Sequence, residues 1–153
     1  MGGKKRPVSK KKPTKGHTIQ EKKDPRGGGK PYEFDKLEMV WHFRYLDTKG
    51  PWGWNSKRID VEILVNTIHS HLMDFETMTW HELKNGSHNV SVSDLCKDAQ
   101  KRLEVINQND IDELFSLRLT GKKRIWGIKD RNILKIIWWD PEHEVCPSLK
   151  KHT

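Results

Sequence analysis

The sequence predicts an α+β domain: a mainly antiparallel sheet of about four strands, one N-terminal and three C-terminal, packed by two or three helices. Three observations carry this. Apolar residues alternate with period two before position 47, recur at helical spacing after Ser56, and return to period two in the last third of the chain. The 153 residues suit one domain, and no internal repeat divides them.

The first element is "EMVWHFRYLD", residues 38–47, where Trp41, Phe43 and Tyr45 alternate with Val40, His42, Arg44 and Leu46. Gly and Pro in "TKGPWGW" supply a turn. Helical spacing follows in Ile59, Ile63, Ile68, Leu72 and Phe75, with Ser56 placed as an N-cap. Thr79 and Glu82 match a capping box that predicts a short helix ending at Gly86. A third helix is expected over Asp94 to Ile106, burying Leu95, Ala99, Leu103 and Ile106. In the last third, "LFSLRLTG" alternates. "KRIWGIKD" and "NILKIIWWD" then flank Asp130-Arg131-Asn132, a loop of hairpin type. The last strand is almost continuously apolar and suits a central position covered on both faces.

Charge divides the chain differently. Residues 1–30 hold 11 Lys and Arg against Glu21 and Asp24, whereas the remainder holds 18 basic and 19 acidic side chains. Met1, Val8 and Ile19 are the only hydrophobic residues of that first stretch, so burial cannot offset its ordering entropy. Residues 1–30 are therefore expected to be a disordered Lys/Gly/Pro-rich basic tail, and 31–153 the folded domain. Lys4, Lys5, Arg6, Lys10, Lys11 and Lys12 make this tail an electrostatic arm for phosphate polymers, without sequence preference. A solubilising extension would have the same composition.

Two cysteines 50 residues apart, Cys96 and Cys146, with no CxxC, suggest free thiols in a reducing compartment. With no apolar run of membrane-spanning length and no signal-peptide pattern, a cytoplasmic protein without a membrane partner is expected. "GGGK" at 27–30 lacks the spacing and Ser/Thr of a phosphate-binding loop. His69 and His71, with His81 and His88, invite a metal reading, but His69 and His71 lie on different helix faces; His143, Cys146 and His152 offer three ligands without a fourth, so no metal or cofactor is expected.

The stretch "LRLTGKKRIWGIKDRNILKIIWWDPEHEV" resembles the closing strands of the RelE/ParE superfamily of bacterial toxins, the ribosome-dependent mRNA interferases and their relatives. The shared features fall on Leu117–Leu119, Gly121, Arg124–Ile128, Asp130, Ile133–Trp139 and His143, about a fifth of the chain. The "RIWGI…WWDPEHEV" run is also similar to small uncharacterised bacterial proteins found near mobile elements. Members of the toxin family are usually smaller and begin with a helical hairpin, whereas here a Trp-rich strand and a longer helical region come first.

The resemblance implies an endoribonuclease acting on RNA or the ribosome, with an antitoxin protein as partner. A ribose 2′-hydroxyl of the RNA would attack the neighbouring phosphate, so the protein must remove one proton, hold phosphoryl oxygens and protonate the leaving oxygen. Arg124, with Arg118 or Lys122, would supply positive charge. His143 would act as acid or base, with Glu142 or Glu144 orienting it or acting as base. Of the two consecutive indoles, one can pack in the core while the other, Trp139, could stack on a base. Trp52 and Trp54 in "GPWGW" are candidate partner contacts.

Each residue also has a plainer reading. In it the arginines are solvated strand residues, His143 is a turn residue bonded to Asp140, and all four tryptophans are core. A non-catalytic nucleic-acid- or protein-binding module of mobile-element origin is the alternative function.

Overall fold

The computed structural model of the protein describes residues 33–147, which belong to one compact unit. The basic stretch 1–30, with Lys4, Lys5, Arg6, Lys10, Lys11 and Lys12, lies outside the described residues, as does His152. The α+β class is as expected, but the sheet has five strands and is mixed. In chain order they are β1 (Val40–His42), β2 (His88–Ser91), β3 (Glu113–Arg118), β4 (Arg124–Asp130) and β5 (Ile133–Asp140). Their spatial order is β1-β5-β4-β3-β2. β5, β4, β3 and β2 form an antiparallel series, while β1 pairs with β5 in parallel. β5, the most apolar segment, sits inside the sheet, as its two-sided hydrophobicity requires.

Each face of the sheet carries its own core. On one face Leu117, Ile125, Leu134, Ile136 and Trp139 pack against Ile68, Leu72 and Phe75. These three come from a π-helical turn, Ile63–His69, that runs into α1 (Ser70–Glu76). On the other face Leu114, Trp126, Ile137 and Trp138 pack against Ala99 and Leu103 of α2 (Lys97–Val105).

A bulge sets the parity of β5. Trp126 pairs with Trp138 but Gly127 pairs with Ile136, so Ile137 is an extra residue. Beyond it, Trp138 faces α2 and Trp139 faces α1. Gly127 permits this close approach, because a Cβ there would lie 2.4 Å from the Lys135 carbonyl oxygen.

Four local expectations change. The first strand is three residues long rather than ten, since the chain turns at Arg44-Tyr45 and leaves Phe43 exposed. The helix after it is capped not by Ser56 but by Asp60, whose carboxylate accepts from Ile63 N at 2.8 Å. The apolar step from Ile63 to Ile68 is five residues, one too many for an α-helical turn. The wider π turn keeps both side chains against the same core. Finally, the Thr79–Glu82 capping box forms both of its hydrogen bonds, but no helix follows. Its backbone is already engaged: Thr79 bridges Glu38, His81 N donates to the Asp35 carbonyl, and Trp80 sinks into the core.

Candidate functional site

Strand register places the chemically useful side chains on the α2 face. One cross-strand row runs His88, Ser116, Trp126, Trp138, and the next runs Arg118, Arg124, Asp140. Side chains two residues apart on a strand share a face, so both rows project toward the side that buries Trp126 and Trp138. His88 and Arg118 are exposed, Arg124 is half-buried, and Asp140 is fully buried. Arg118 and Arg124 are therefore cross-strand neighbours at one end of the sheet. Like charges placed opposite each other destabilise a sheet unless something compensates. Here the Arg124 guanidinium donates to the Gly121 carbonyl at 2.7 Å and the Lys123 carbonyl at 3.2 Å, and Arg118 donates to the Asn85 carbonyl at 3.4 Å.

The loop after β5 brings in His143. Asp140 accepts from Trp126 Nε1 at 3.1 Å, Glu144 N at 2.9 Å and Val145 N at 3.0 Å, so one carboxylate ties the loop to the sheet. His143 lies inside that closed turn at φ 59, and Val145 beyond it is buried against α2. Burial lowers the His143 pKa from its usual 6.5. Repulsion from Arg124 and His88 lowers it further, and Asp140 opposes the shift. The Arg124 pKa is lowered by burial and by Arg118, again against Asp140. His143 is thus within electrostatic reach of Arg124 and His88, and Arg124 of Arg118.

Asp140 positions this loop, and its replacement has a calculable consequence. Asp140→Ala would orphan one buried indole N–H and two backbone N–H groups, and is expected to lower unfolding stability by about 3 kcal/mol. Urea denaturation checks this; a loss of under about 1 kcal/mol would show the loop is held by other contacts.

The tryptophans are not surface platforms. Trp139 is 1 % exposed and packs in the α1-side core, so the expected stacking role is corrected: no face of the ring is open to a base. Trp138 is wholly buried on the other face. "GPWGW" likewise folds back. Trp52 is 4 % exposed and packs on Trp138 with ring centroids 5.3 Å apart, which removes it as a partner contact. Trp54 is half-buried against the α1-side core and Phe43.

What holds this loop is an unforeseen buried carboxylate. Asp47 accepts from Lys49 N, Gly50 N, Trp138 Nε1 at 3.0 Å, and Arg102 through Nε at 2.8 Å and a terminal nitrogen at 2.7 Å. Burial alone would raise the Asp47 pKa, but these donors outweigh it and hold the group well below the usual carboxylate range. A Cβ at Gly50 would come within 2.4 Å of both Asp47 Oδ2 and Arg102 Nε, so glycine is needed there.

Of the remaining expected residues, Lys122 and Glu142 are exposed and form no ion pair among the described residues. Lys122 lies in the β3–β4 turn beside Arg124, and Glu142 in the His143 loop. The expected His143–Asp140 hydrogen bond is not made among the described residues, because that carboxylate is taken by Trp126 and two backbone amides. Cys146 donates to the Asp94 carbonyl at 3.4 Å, and burial, with Asp94 next, raises its thiol pKa. His71 Nδ1 lies 2.6 Å from the Thr67 carbonyl. No group of three or more His, Cys, Asp or Glu side chains among the described residues could hold a metal ion.

His88, which the sequence offers only as a member of a histidine cluster, is the residue that the sequence does not place at this site. Its Nδ1 must donate to the Gly86 carbonyl, 2.9 Å away, which leaves Nε2 open. The available signal was the alternation His88, Val90, Val92 ahead of α2. In comparisons with known proteins, the chain matches no family model, no curated protein and no solved structure.

Proposed function

We propose that the Arg118–Arg124 end of the sheet binds RNA and cleaves it, as an endoribonuclease of RelE/ParE-like type. The observation that carries this reading is the placement of two arginines as cross-strand neighbours, with two imidazoles within electrostatic reach. A phosphodiester is the group this arrangement suits: a guanidinium grips phosphate oxygens through paired N–H donors, and the adjacent imidazoles can move protons.

In the proposed step, His143 is neutral at physiological pH because its pKa lies below the usual value. It takes the proton of a ribose 2′-hydroxyl, and that oxygen forms a bond to the neighbouring phosphorus. The bond from phosphorus to the 5′-oxygen breaks. The leaving oxygen takes a proton from His88 in its imidazolium form, in which Nε2 also carries a hydrogen, leaving that ring neutral with its Nδ1–H on the Gly86 carbonyl; the products are a 2′,3′-cyclic phosphate and a 5′-hydroxyl. Arg124 and Arg118 hold the non-bridging oxygens as charge builds on them. Lys122 adds charge at the rim, and Glu142 faces solvent beside the base. No metal enters this scheme.

The meander β3–β4–β5 with a histidine just past its end supports the toxin resemblance, while β1 and β2, which precede it, depart from that pattern. That resemblance would give the protein an antitoxin partner and an intracellular target on RNA or the ribosome. No helix among the described residues is long and apolar enough to cross a membrane.

Among the described residues the tryptophans near the site are buried and offer no stacking platform, which favours a second reading, a module that binds phosphate without cleaving. Incubating labelled single-stranded RNA with the protein separates the two. Cleavage lost in a folded Arg124→Ala/His143→Ala variant supports the enzyme; binding that is weakened by Arg124→Ala, with no cleavage by the wild-type chain, supports the module.

A further inference from the structure

A second basic surface lies beside this end of the sheet, on the loop that joins β1 to the helical region. An open cleft of about 820 Å³ is lined there by Thr48, Lys49, Asn55, Ser56, Lys57 and Arg58, with Gly50 and Pro51. Its lining contains three cations and no carboxylate. Lys49, Lys57 and Arg58 are exposed and form no ion pair among the described residues. The nearest acids in sequence are engaged elsewhere: Asp47 is buried on Arg102, and Asp60 caps the following helix.

The loop presenting these cations is fixed. Asn55 Nδ2 donates to the Thr48 carbonyl at 3.0 Å, and Asn55 Oδ1 accepts from Lys57 N at 3.1 Å. The Asn55 carbonyl accepts from Arg58 N and Ile59 N, and Gly53 N donates to Gly50 across the turn. Loop ordering is therefore already present before any ligand arrives, and this lowers the cost of binding.

Placement relative to the candidate active site follows from backbone pairing. Trp139 N donates to the Trp52 carbonyl at 3.0 Å, and Trp54 N donates to the Asp47 carbonyl at 2.8 Å. The loop thus runs along the carboxyl end of β5, whose other edge pairs with β4 and Arg124. Two hydrogen-bonded spacings separate the Trp52 backbone from β4, about 10 Å. The cleft includes Pro51, the residue next to Trp52, so a ligand that reaches both the cleft and β4 is a strand of several nucleotides.

We infer that the Lys49/Lys57/Arg58 cleft is a second phosphate-binding site, for the sugar–phosphate backbone of an RNA strand whose scissile phosphate lies at Arg124. This inference rests on the RNA reading of the Arg118–Arg124 end. It makes the substrate a polynucleotide rather than a short fragment, because a fragment reaches only one of the two surfaces. Contacts of this kind position the chain without reading its bases.

The test uses the full-length chain and two fluorescent probes, a 12-nucleotide single-stranded RNA and a trinucleotide, with binding followed by anisotropy across a salt series. Both target residues are exposed, so Lys57→Ala/Arg58→Ala is expected to fold; thermal melting verifies it. The double variant should weaken 12-nucleotide binding about tenfold at low salt and leave the trinucleotide unchanged. Its slope of log K against log salt should shrink by about 1.4, since each single-strand phosphate contact contributes about 0.7.

Unchanged 12-nucleotide affinity, or an equal loss for both probes, would overturn the inference. Arg124→Ala measured in parallel distinguishes the two ideas. If only Arg124→Ala weakens the 12-nucleotide probe, the cleft assignment fails and the active-site reading stands. If only the Lys57/Arg58 variant weakens it, the cleft binds phosphate and the Arg124 reading fails. A wild-type chain that binds neither probe overturns both.

Discussion

Replacing His143 with Ala is expected to slow RNA cleavage by about 10²- to 10⁴-fold, the range for loss of a positioned general base. The pH profile should identify the group. Burial first, and the Arg124 charge next, hold His143 below its usual 6.5, so the proton-accepting form already dominates at neutral pH. The acid limb of kcat/KM in the wild-type protein should therefore lie below 6.5 and rise with pH to a neutral plateau. Arg124→Ala removes one of the two largest causes of the shift, so its residual activity should show the limb moved toward 6.5. A structural role for His143 predicts no such movement. The same shift sets a stability trend: the unfolded chain binds the His143 proton more readily, so stability falls as pH drops below 6.5.

Arg102→Ala carries the largest expected effect on folding, a loss of about 3–5 kcal/mol, because it strips a buried carboxylate of its charged partner. Asp47 would keep only Lys49 N, Gly50 N and Trp138 Nε1. Arg102→Lys should recover only part of the loss, since an ammonium cannot reproduce the two-point contact made through Nε and the terminal nitrogen. The sign with pH is fixed by the direction of the Asp47 shift. Its folded pKa is depressed, so its contribution is complete above the ordinary carboxylate range and is lost as pH falls through and below about 4. Urea midpoints of the wild type and Asp47→Asn between neutral and acid pH check this: the variant, though less stable at neutral pH, should lose less of its stability on acidification. An Arg102→Ala chain as stable as wild type would refute the assignment.

The pair also shows where sequence reading stops. Asp47 lies 55 positions from Arg102 and 91 from Trp138, and nothing in local pattern links a turn aspartate to a residue on a distant helix. The gross class was legible because period is a local property: alternation in 114–119 and the apolar run 133–139 mark strands wherever they pack. β2 was missed because "HNVS" is an edge strand with one partly buried residue, too polar and short to show a pattern. The bulge at Ile137 was equally invisible, yet it decides which core each indole enters.

For the candidate site, Arg118 and Arg124 flank a single turn, so their cross-strand adjacency was readable from the meander. His143 followed from its place just beyond the strand. His88 did not, since its neighbours come from a strand that the sequence hid. Of the indoles at 138 and 139 the sequence offers one as core and Trp139 as a stacking platform; a layer of helices on each face makes both of them core.

The most direct test of the nuclease account is an oligodeoxynucleotide carrying a single ribonucleotide, incubated with the purified protein in the presence of a chelator. The account predicts one cut, immediately 3′ of the ribose, leaving a 2′,3′-cyclic phosphate and a 5′-hydroxyl, and lost in Arg124→Ala and His143→Ala. Cleavage of the all-deoxy strand at the same rate, or equal cutting by folded Arg124→Ala and His143→Ala variants, would contradict it.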